Sequence, residues 1–388
     1  MVYYIVHHTM ASFIDSLKKL LFFWQKGVIL GVDIGSSSIK VVLIERVEEK
    51  VVLRNYGEVA LGPGAGIFVG QATNLAPEKI AEELRGLLKE AKISPTRTFI
   101  AIPFTASLLS VIELPDVKKN ELETMIPIEA RRYIPVPLSE VSLDWWVLPK
   151  KKNNAAQKVI LPNIPQSSVP QQSSHVEVII AAIHNNVIKK YELIKRSAEI
   201  PGSTSQFEIE IFSTLRAVMG NELLTTLVID IGAGSIKLVL VDEGVVHGSH
   251  VMSIGGQDIT LALSRSQGTS FQEAEELKRR VGLMGDNEGR DVLAASELIL
   301  ANIMNETVRF VDAYVHKHGT GVSKIILVGG GAKLLGIDKI IAKSFPNVPI
   351  TLGDSFARVD SPAFLSKTLK EIGPNFATAM GIALKGLE

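Results

Sequence analysis

Two similar stretches of eight residues carry side chains suited to binding a phosphate group and a metal ion. They run from Asp33 to Lys40 and from Asp230 to Lys237, agree at six of eight positions and begin 197 residues apart. Apolar residues flank each stretch, which predicts a strand, a tight turn and a second strand. Because glycine has no Cβ, the backbone N–H groups of such a turn can approach an anion closely. Two of these turns facing one another could bind a polyphosphate.

The residue types within the two stretches have different predicted roles. Asp33 and Asp230 each follow an apolar strand and are suited to hold Mg²⁺ largely through its waters, because Mg²⁺ dehydrates reluctantly. Lys40 and Lys237 would add positive charge beside the phosphates. Either stretch alone is better explained as an ordinary hairpin, and it is the repeat in register that favours phosphate binding. The turn residues predicted to contact phosphate together with Lys40 are Gly35, Ser36, Ser37, Ser38, Gly232, Ala233, Gly234 and Ser235.

A third cluster, of small residues, follows an apolar strand predicted at 324–328 and precedes a helix predicted at 337–344. A base and its ribose could pack against bare backbone at this point. The alternative is a strand-to-helix loop that needs glycine for a positive φ angle. The residues of the cluster are Gly329, Gly330, Gly331 and Ala332.

Composition narrows the class of protein. The 388 residues are enough for two or three domains, and 46% hydrophobic content is enough for packed cores. The 41 basic and 41 acidic residues cancel, so we expect no nucleic acid partner. The absence of cysteine excludes a disulfide scaffold, a thiolate zinc site, an iron–sulfur cluster and a cysteine nucleophile. The sequence contains neither an apolar run of membrane-spanning length nor a secretory signal, so a cytoplasmic location is expected.

Two segments differ from the predicted globular core. Residues 11–25 place apolar side chains at helical spacing opposite polar ones, which predicts an amphipathic helix. This helix could lie in a membrane interface or a partner's groove, or it could pack on the protein's own body. Residues 150–174 are rich in Lys, Asn, Gln, Ser and Pro, which predicts a mobile hairpin tip between two strands. A proline-rich recognition segment is the alternative for that loop.

The two turn motifs and the glycine cluster, in this order, resemble the phosphate 1, phosphate 2 and adenosine signatures of the actin-like ATPase superfamily over residues 30–385. Within it, the sequence resembles the PilM family of type IV pilus assembly proteins and, next, the FtsA division proteins. The stretch 30–40 and the more family-specific IEARRYIPVPL at 128–138 carry this resemblance. The implied fold is α/β, with two lobes built on duplicated ribonuclease-H-like domains and an inserted subdomain of the FtsA and PilM type.

The resemblance and the predicted elements together divide the chain into six segments. These are an N-terminal extension with the amphipathic helix at 1–27, a first lobe at 28–103, an inserted subdomain at 104–183, the completion of the first lobe with a connecting helix at 184–224, a second lobe at 225–376 and a closing connecting helix at 377–388. Each lobe would then contribute one turn motif to a shared cleft.

The resemblance also implies roles for residues outside the turns. Glu210 matches an acidic residue that can orient a water toward the terminal phosphate, with a solvated helix carboxylate as the alternative. Gly256 resembles one of the paired glycines after the second turn. Glu275 and Lys278 resemble residues that contact ribose and base, and a surface ion pair is their alternative. Lys237 departs from the family pattern, in which a hydroxyl or other small polar residue is usual, so we expect weak ATP hydrolysis or none.

The resemblance implies an ATP-binding scaffold of the type IV pilus assembly platform at the cytoplasmic face of the inner membrane, with a role in twitching motility. ATP or ADP with Mg²⁺ would set the angle between the lobes and so control a groove, near 104–183, for the N-terminal cytoplasmic tail of PilN. Other pilus-platform proteins and, through 11–25, the membrane surface are further expected contacts. Two alternatives stay open. One is a polymerising FtsA-like ATPase, against which the chain's end shortly after Leu384 counts, and the other is a sugar-kinase-like phosphotransferase with Asp230 as base.

Overall fold

The computed structural model describes residues 27–148, 175–200, 206–220, 222–284 and 287–388. The helix predicted at 11–25 and the loop predicted at 150–174 lie outside this part, so both stay predictions. The chain forms two compact units, one of residues up to Ala106 and from Val187 onward, the other of Ser107–Asn186. None of the described helices is both long and apolar enough to cross a membrane.

Five strands form a mixed sheet in the first lobe. They are β1 (Val28–Ile34), β2 (Ser38–Val47), β3 (Lys50–Ala60), β4 (Arg97–Ile102) and β8 (Gln206–Ile209). The strand order is β3-β2-β1-β4-β8, with β1 to β3 antiparallel and β4 and β8 parallel to β1. The central β1 and β4 are nearly continuous apolar runs, as expected of strands that are covered on both faces. This buried centre places Asp33 near the carboxyl end of β1.

The second lobe repeats this sheet. Its strands are β9 (Thr226–Ile231), β10 (Ile236–Asp242), β11 (Val245–Met252), β12 (Lys324–Val328) and β13 (Ile350–Leu352). The order is β11-β10-β9-β12-β13, and the antiparallel and parallel pairings are the same as in the first lobe. Asp230 therefore occupies the position in β9 that Asp33 occupies in β1. The duplication predicted from the repeated motif is confirmed.

The described residues of the remaining unit form an antiparallel sheet and an α-helix that packs on it. The strands are β5 (Ser107–Pro115), β6 (Val141–Val147) and β7 (His175–His184), in the order β5-β7-β6. Apolar residues of α2 (Lys119–Ala130), such as Leu122 and Ile126, pack with Ile112 and Val178 of the sheet in a core of their own. The two strands that flank the predicted loop at 150–174 pair directly with each other.

The other helices all belong to the two-lobed unit, apart from the first two residues of α3. They are α1 (Pro77–Glu90), α3 (Asn185–Ser197), α4 (Glu210–Val218), α5 (Gly256–Gln267), α6 (Phe271–Val281), α7 (Asn287–His318), α8 (Ile337–Ser344), α9 (Ser366–Ile372) and α10 (Ala377–Lys385). The α1 helix begins with Pro77, whose fixed φ suits the first helical position. Helices α4 and α10 pack against each other, and the Thr214 and Thr378 hydroxyl oxygens lie 2.9 Å apart between them.

Candidate nucleotide site

A cavity of about 740 Å³ lies in the two-lobed unit, and both turn motifs line it. Its volume is within the range of small-molecule sites. The predicted site residues that line it are Asp33, Gly35, Ser36, Ser37, Ser38, Lys40, Glu210, Asp230, Gly232, Ala233, Ser235, Gly256, Glu275, Lys278, Gly329, Gly330 and Gly331. The structure thus brings residues of distant sequence positions to a single cleft.

Two predicted site residues do not line the cavity. Gly234 lies where the lobes meet, because a Cβ built there would be 3.1 Å from the Ala72 Cβ and 3.4 Å from the Ser36 Oγ. Ala332 is 3% exposed and belongs to the apolar core of the second lobe. Both residues pack the elements around the cavity.

The two turns have the same local geometry. The Gly35 N–H donates to the Ser38 carbonyl and the Gly232 N–H donates to the Ser235 carbonyl, each at 3.0 Å. A Cβ at Gly232 would lie 2.9 Å from that carbonyl oxygen, which is closer than real Cβ atoms come. Glycine at this position therefore allows the turn to close on itself. Its neighbours Ala233 and Ser235 line the cavity, where their N–H groups are suited to bind an anion.

Charged side chains from both lobes meet at the carboxyl ends of β1 and β9. The Lys237 Nζ lies 3.1 Å from the Asp230 Oδ2 and 3.0 Å from the Glu210 Oε1. The Glu210 Oε1 also accepts a hydrogen bond of 2.7 Å from the Phe104 N–H. Glu210 is 6% exposed, so it is not a solvated helix carboxylate. Its position at the start of α4 comes from β8, which ends one residue earlier.

Burial and neighbouring charges shift two pKa values in this cluster. Burial raises the pKa of Asp33 to about 6, with Glu210 and Asp230 adding to the shift and Lys40 and Lys237 opposing it. Burial alone would lower the pKa of Lys237, but the carboxylates of Asp230 and Glu210 outweigh it and raise that pKa above its usual range. Lys237 is therefore an ammonium ion at neutral pH.

A second polar cluster lines the cavity on α5 and α6. The Lys278 Nζ lies 2.7 Å from the Glu275 Oε2 and donates to the Thr260 Oγ1 at 2.7 Å and to the Gly256 carbonyl at 2.9 Å. The Arg279 Nε donates to the other Glu275 oxygen at 2.6 Å. Burial favours the neutral acid, but Lys278 and these hydrogen bonds lower the pKa of Glu275 overall. Glu275 and Lys278 are buried, so the alternative of a surface ion pair does not describe them.

The glycine cluster after β12 contains two glycines that leave no room for a side chain and one that does. Gly329 has φ of +81°, and a Cβ there would lie 2.4 Å from the Asp230 Oδ1. A Cβ at Gly331 would lie 2.2 Å from the Ile231 Cγ2, whereas one at Gly330 would meet nothing within 4 Å. Gly329 and Gly331 therefore allow this loop to pack on the end of β9. Gly330 is the member of the cluster whose backbone is open to the cavity.

This difference between neighbouring glycines predicts the effects of alanine substitutions. Gly329→Ala should lower the free energy of unfolding by about 2 to 3 kcal/mol, because it adds strain at positive φ and a collision with Asp230. Gly330→Ala should change it by no more than about 0.5 kcal/mol. Urea denaturation followed by circular dichroism measures both. Equal stability of the two variants would contradict the packing role of Gly329.

Tyr191 and Asn375 are among the residues that line the cavity and that sequence reasoning missed. Tyr191 of α3 is buried there, and burial raises the pKa of its hydroxyl, as do the nearby Glu210 and Asp33. The Asn375 Oδ1 is buried and has no hydrogen-bond partner among the described residues. No local pattern marks either residue, since only the fold brings α3 and the segment before α10 to the cleft.

These donors fit a nucleoside triphosphate with a divalent cation. The turns supply backbone N–H groups and serine hydroxyls for phosphate oxygens, and Asp33 and Asp230 supply the hard carboxylate oxygens that Mg²⁺ prefers. The buried, unpartnered Asn375 oxygen is one more acceptor in need of a donor, such as a metal-bound water or a ribose hydroxyl. The cleft therefore has groups suited to bind a polyphosphate between the lobes.

Comparison with known proteins gives chains of similar sequence. The cell division protein FtsA of Neisseria meningitidis serogroup B is 24% identical over 92% of this chain and 90% of its own length. The ethanolamine utilization protein EutJ of Escherichia coli strain K12 is 27% identical over 32% of this chain, and the match spans only 40% of EutJ.

A solved structure and a family model match nearly the whole chain. The structure titled PilM-PilN type IV pilus biogenesis complex is 27% identical and has a TM-score of 0.73, covering 93% of this chain and 98% of that one. This likeness and the duplicated sheets confirm the predicted actin-like fold. The model for type IV pilus assembly protein PilM matches residues 31–387. The chain therefore belongs to the PilM family of type IV pilus assembly proteins.

Proposed function

We propose that this chain binds ATP or ADP with Mg²⁺ between its lobes and acts as a nucleotide-responsive scaffold in type IV pilus assembly. The observation that supports nucleotide binding most strongly is that both turn motifs, one from each lobe, line one cavity together with Asp33 and Asp230. Nucleotide can bias the angle between the lobes because its contacts are divided between them.

The lining residues divide between phosphate and nucleoside in this proposal. The turns at 35–38 and 232–235 bind phosphate with Lys40, and Asp33 and Asp230 hold Mg²⁺ largely through water. Gly256, Glu275, Lys278 and the glycines at 329–331 form the adenosine side, where a Cβ at Gly330 would meet nothing within 4 Å.

Hydrolysis is slow or absent in this proposal. A carboxylate that orients a water does so by accepting a hydrogen bond from it. The Glu210 Oε1 accepts a hydrogen bond from the Phe104 N–H and forms an ion pair with Lys237. The ammonium offsets the charge of this carboxylate and makes it a weaker acceptor for a water, which favours nucleotide binding as a structural signal over turnover.

The proposed partner is the N-terminal cytoplasmic tail of PilN. The similar structure contains a complex of PilM with PilN, which supports this partner for a member of the same family. Within the unit of residues 107–186, Ile128 and Tyr133 are large apolar side chains that are 60% and 42% exposed, beside the exposed Arg131 and Arg132. Such a surface suits a peptide with a few apolar anchors. We place the protein at the cytoplasmic face of the inner membrane, where other pilus-platform proteins are further partners and residues 11–25 contact the membrane surface.

Two titrations test this function. Calorimetry with ATP and ADP in Mg²⁺ should give a single saturable site. A peptide of the PilN tail should bind the chain, with an affinity that differs between the ATP-bound and nucleotide-free states. No ATP binding would refute the nucleotide role, and no peptide binding with ATP present would refute the partner.

A substitution in the 107–186 unit tests the docking surface. Tyr133→Ala should weaken binding of the PilN-tail peptide by about tenfold, because one apolar anchor is lost. Phe364→Ala is a matched control, since Phe364 is an aromatic residue 82% exposed in the other unit, and should bind the peptide as the wild type does. Equal affinities for all three chains would rule out this surface.

Polymerisation is a second candidate function, which the similarity to FtsA over nearly its whole length favours. Sedimentation with and without ATP distinguishes it. Pelleting that requires ATP would support filaments, and a chain that stays in the supernatant while binding the PilN tail would support the scaffold.

A further inference from the structure

Lys237 lies between carboxylates from two different lobes. Glu210 begins α4 at the end of the first sheet, and Asp230 belongs to β9 of the second. The Lys237 Nζ is within 3.1 Å of a carboxylate oxygen of each, and the three side chains are only 8 to 15% exposed. The ammonium therefore links the lobes at the point where Glu210 and Asp230, a proposed metal ligand, meet.

The equivalent lysine of the first lobe has different partners. Lys40 faces Asp33 across β1 and β2, as Lys237 faces Asp230 across β9 and β10. The Lys40 Nζ donates to the Ser38 Oγ at 2.8 Å and lies 3.4 Å from Glu58. Within the described part of the chain, no cationic nitrogen lies within 4 Å of the Asp33 carboxylate. Asp33 is thus available to a metal ion, whereas Asp230 already has a positive partner.

We propose that Lys237 is a built-in counterion of the nucleotide site, which supplies positive charge that a divalent cation would otherwise supply. This inference rests on the proposed function, since it concerns how nucleotide is bound. In the described part of the chain, no cationic nitrogen other than that of Lys237 lies within 4 Å of the Glu210 or the Asp230 carboxylate. Without Lys237, these two largely buried carboxylates would repel a polyphosphate unless Mg²⁺ were present. With it, nucleotide binds with little dependence on Mg²⁺.

The experiment compares ATP affinity in excess Mg²⁺ and in EDTA, for the wild type and Lys237→Ser. On removal of Mg²⁺, the ATP affinity of the wild type should fall by less than about tenfold, and that of Lys237→Ser by about a hundredfold or more. Lys237→Arg keeps the charge and should resemble the wild type. Lys333→Ser removes an exposed lysine that also lines the cavity. It should weaken ATP binding by the same factor in Mg²⁺ and in EDTA.

A second readout follows the metal itself. Mn²⁺ binding without nucleotide, measured by electron paramagnetic resonance, should be at least about tenfold tighter in Lys237→Ser, because Asp230 and Glu210 lose their cation. Should that variant fail to fold, Lys237→Gln removes the charge but keeps a long polar side chain, and it should show the same dependence of ATP affinity on Mg²⁺. If wild type and Lys237→Ser depend equally on Mg²⁺, the counterion role is wrong while nucleotide binding stands. If the wild type binds no ATP in either condition, the proposed function itself fails.

Discussion

Gly381→Ala should lower the free energy of unfolding of this chain by about 3 kcal/mol or more, because the added methyl group has no room. Gly381 lies in α10, where the helix crosses α4. A Cβ built there would lie 1.7 Å from the Ser213 carbonyl oxygen and 2.4 Å from its carbon. Both atoms are backbone, so a side-chain rotation cannot relieve the collision. The two helices would have to separate.

The crossing has few ways to adjust. On its other side α10 packs against β1, where a Cβ at Gly31 would lie 2.2 Å from the Ala379 carbonyl oxygen. The α4 helix is held by Arg216, whose guanidinium makes two hydrogen bonds to Glu208 and one to the Gly381 carbonyl. A displaced α10 would therefore disturb the first sheet and this buried ion pair together.

Gly86→Ala is the matched control for this prediction. Gly86 is an exposed helical glycine in α1, and a Cβ there would meet nothing within 4 Å. Alanine should stabilise the helix at this position by about 0.5 to 1 kcal/mol. Urea denaturation measures both variants, and the prediction fails if Gly381→Ala is as stable as Gly86→Ala.

The architecture could be predicted from the sequence because each lobe carries recognisable local patterns. The repeat at Asp33 and Asp230 predicts two related lobes, and the apolar runs around it predict strands at the sheet centres, where Val32 and Ile229 are buried. The α8 helix has the predicted bounds, Ile337–Ser344, and Gly336 directly before it has a φ of +88°.

Contacts between distant segments could not be predicted from local patterns. Lys237 reads only as a positive charge near a turn, and its second partner, Glu210, comes from the other lobe. The spacing of Glu275 and Lys278 fits a surface pair, and only the packing of α6 buries it. Gly234 reads as a phosphate-binding glycine, yet it lies where the lobes touch because Ala72 approaches it. Each of these contacts depends on which helices, strands and loops pack together in the folded chain.

Asp33 illustrates how the proposed site conflicts with stability. Its pKa of about 6 is above the ordinary value of 3.8, because burial disfavours the carboxylate and Glu210 and Asp230 repel it. A carboxyl group whose pKa is raised on folding destabilises the folded protein whenever it is ionised. At pH 7 the folded chain therefore keeps Asp33 charged at a cost, which a bound Mg²⁺ would offset.

Asp33→Asn should consequently raise stability and weaken the binding of a divalent cation. At pH 7 the variant should be more stable than the wild type by about 2 to 3 kcal/mol, since a shift of one pKa unit corresponds to about 1.4 kcal/mol. As pH falls through 6, Asp33 takes up a proton in the folded state before it does so in the unfolded state. The stability of the wild type therefore rises relative to that of the variant, and the difference in their free energies of unfolding should disappear near pH 4.

Urea midpoints between pH 4 and pH 8 measure this difference, because acid effects that both chains share cancel. Asp360→Asn is the control, since that carboxylate is 55% exposed in an ion pair with Lys50, and its stability should differ from the wild type by no more than about 0.5 kcal/mol at any of these pH values. Electron paramagnetic resonance without nucleotide should show Mn²⁺ bound at least about tenfold more weakly by Asp33→Asn than by the wild type. A variant less stable than the wild type at pH 7, or one that binds Mn²⁺ equally well, would mean that Asp33 is a structural residue and that the cation is held elsewhere.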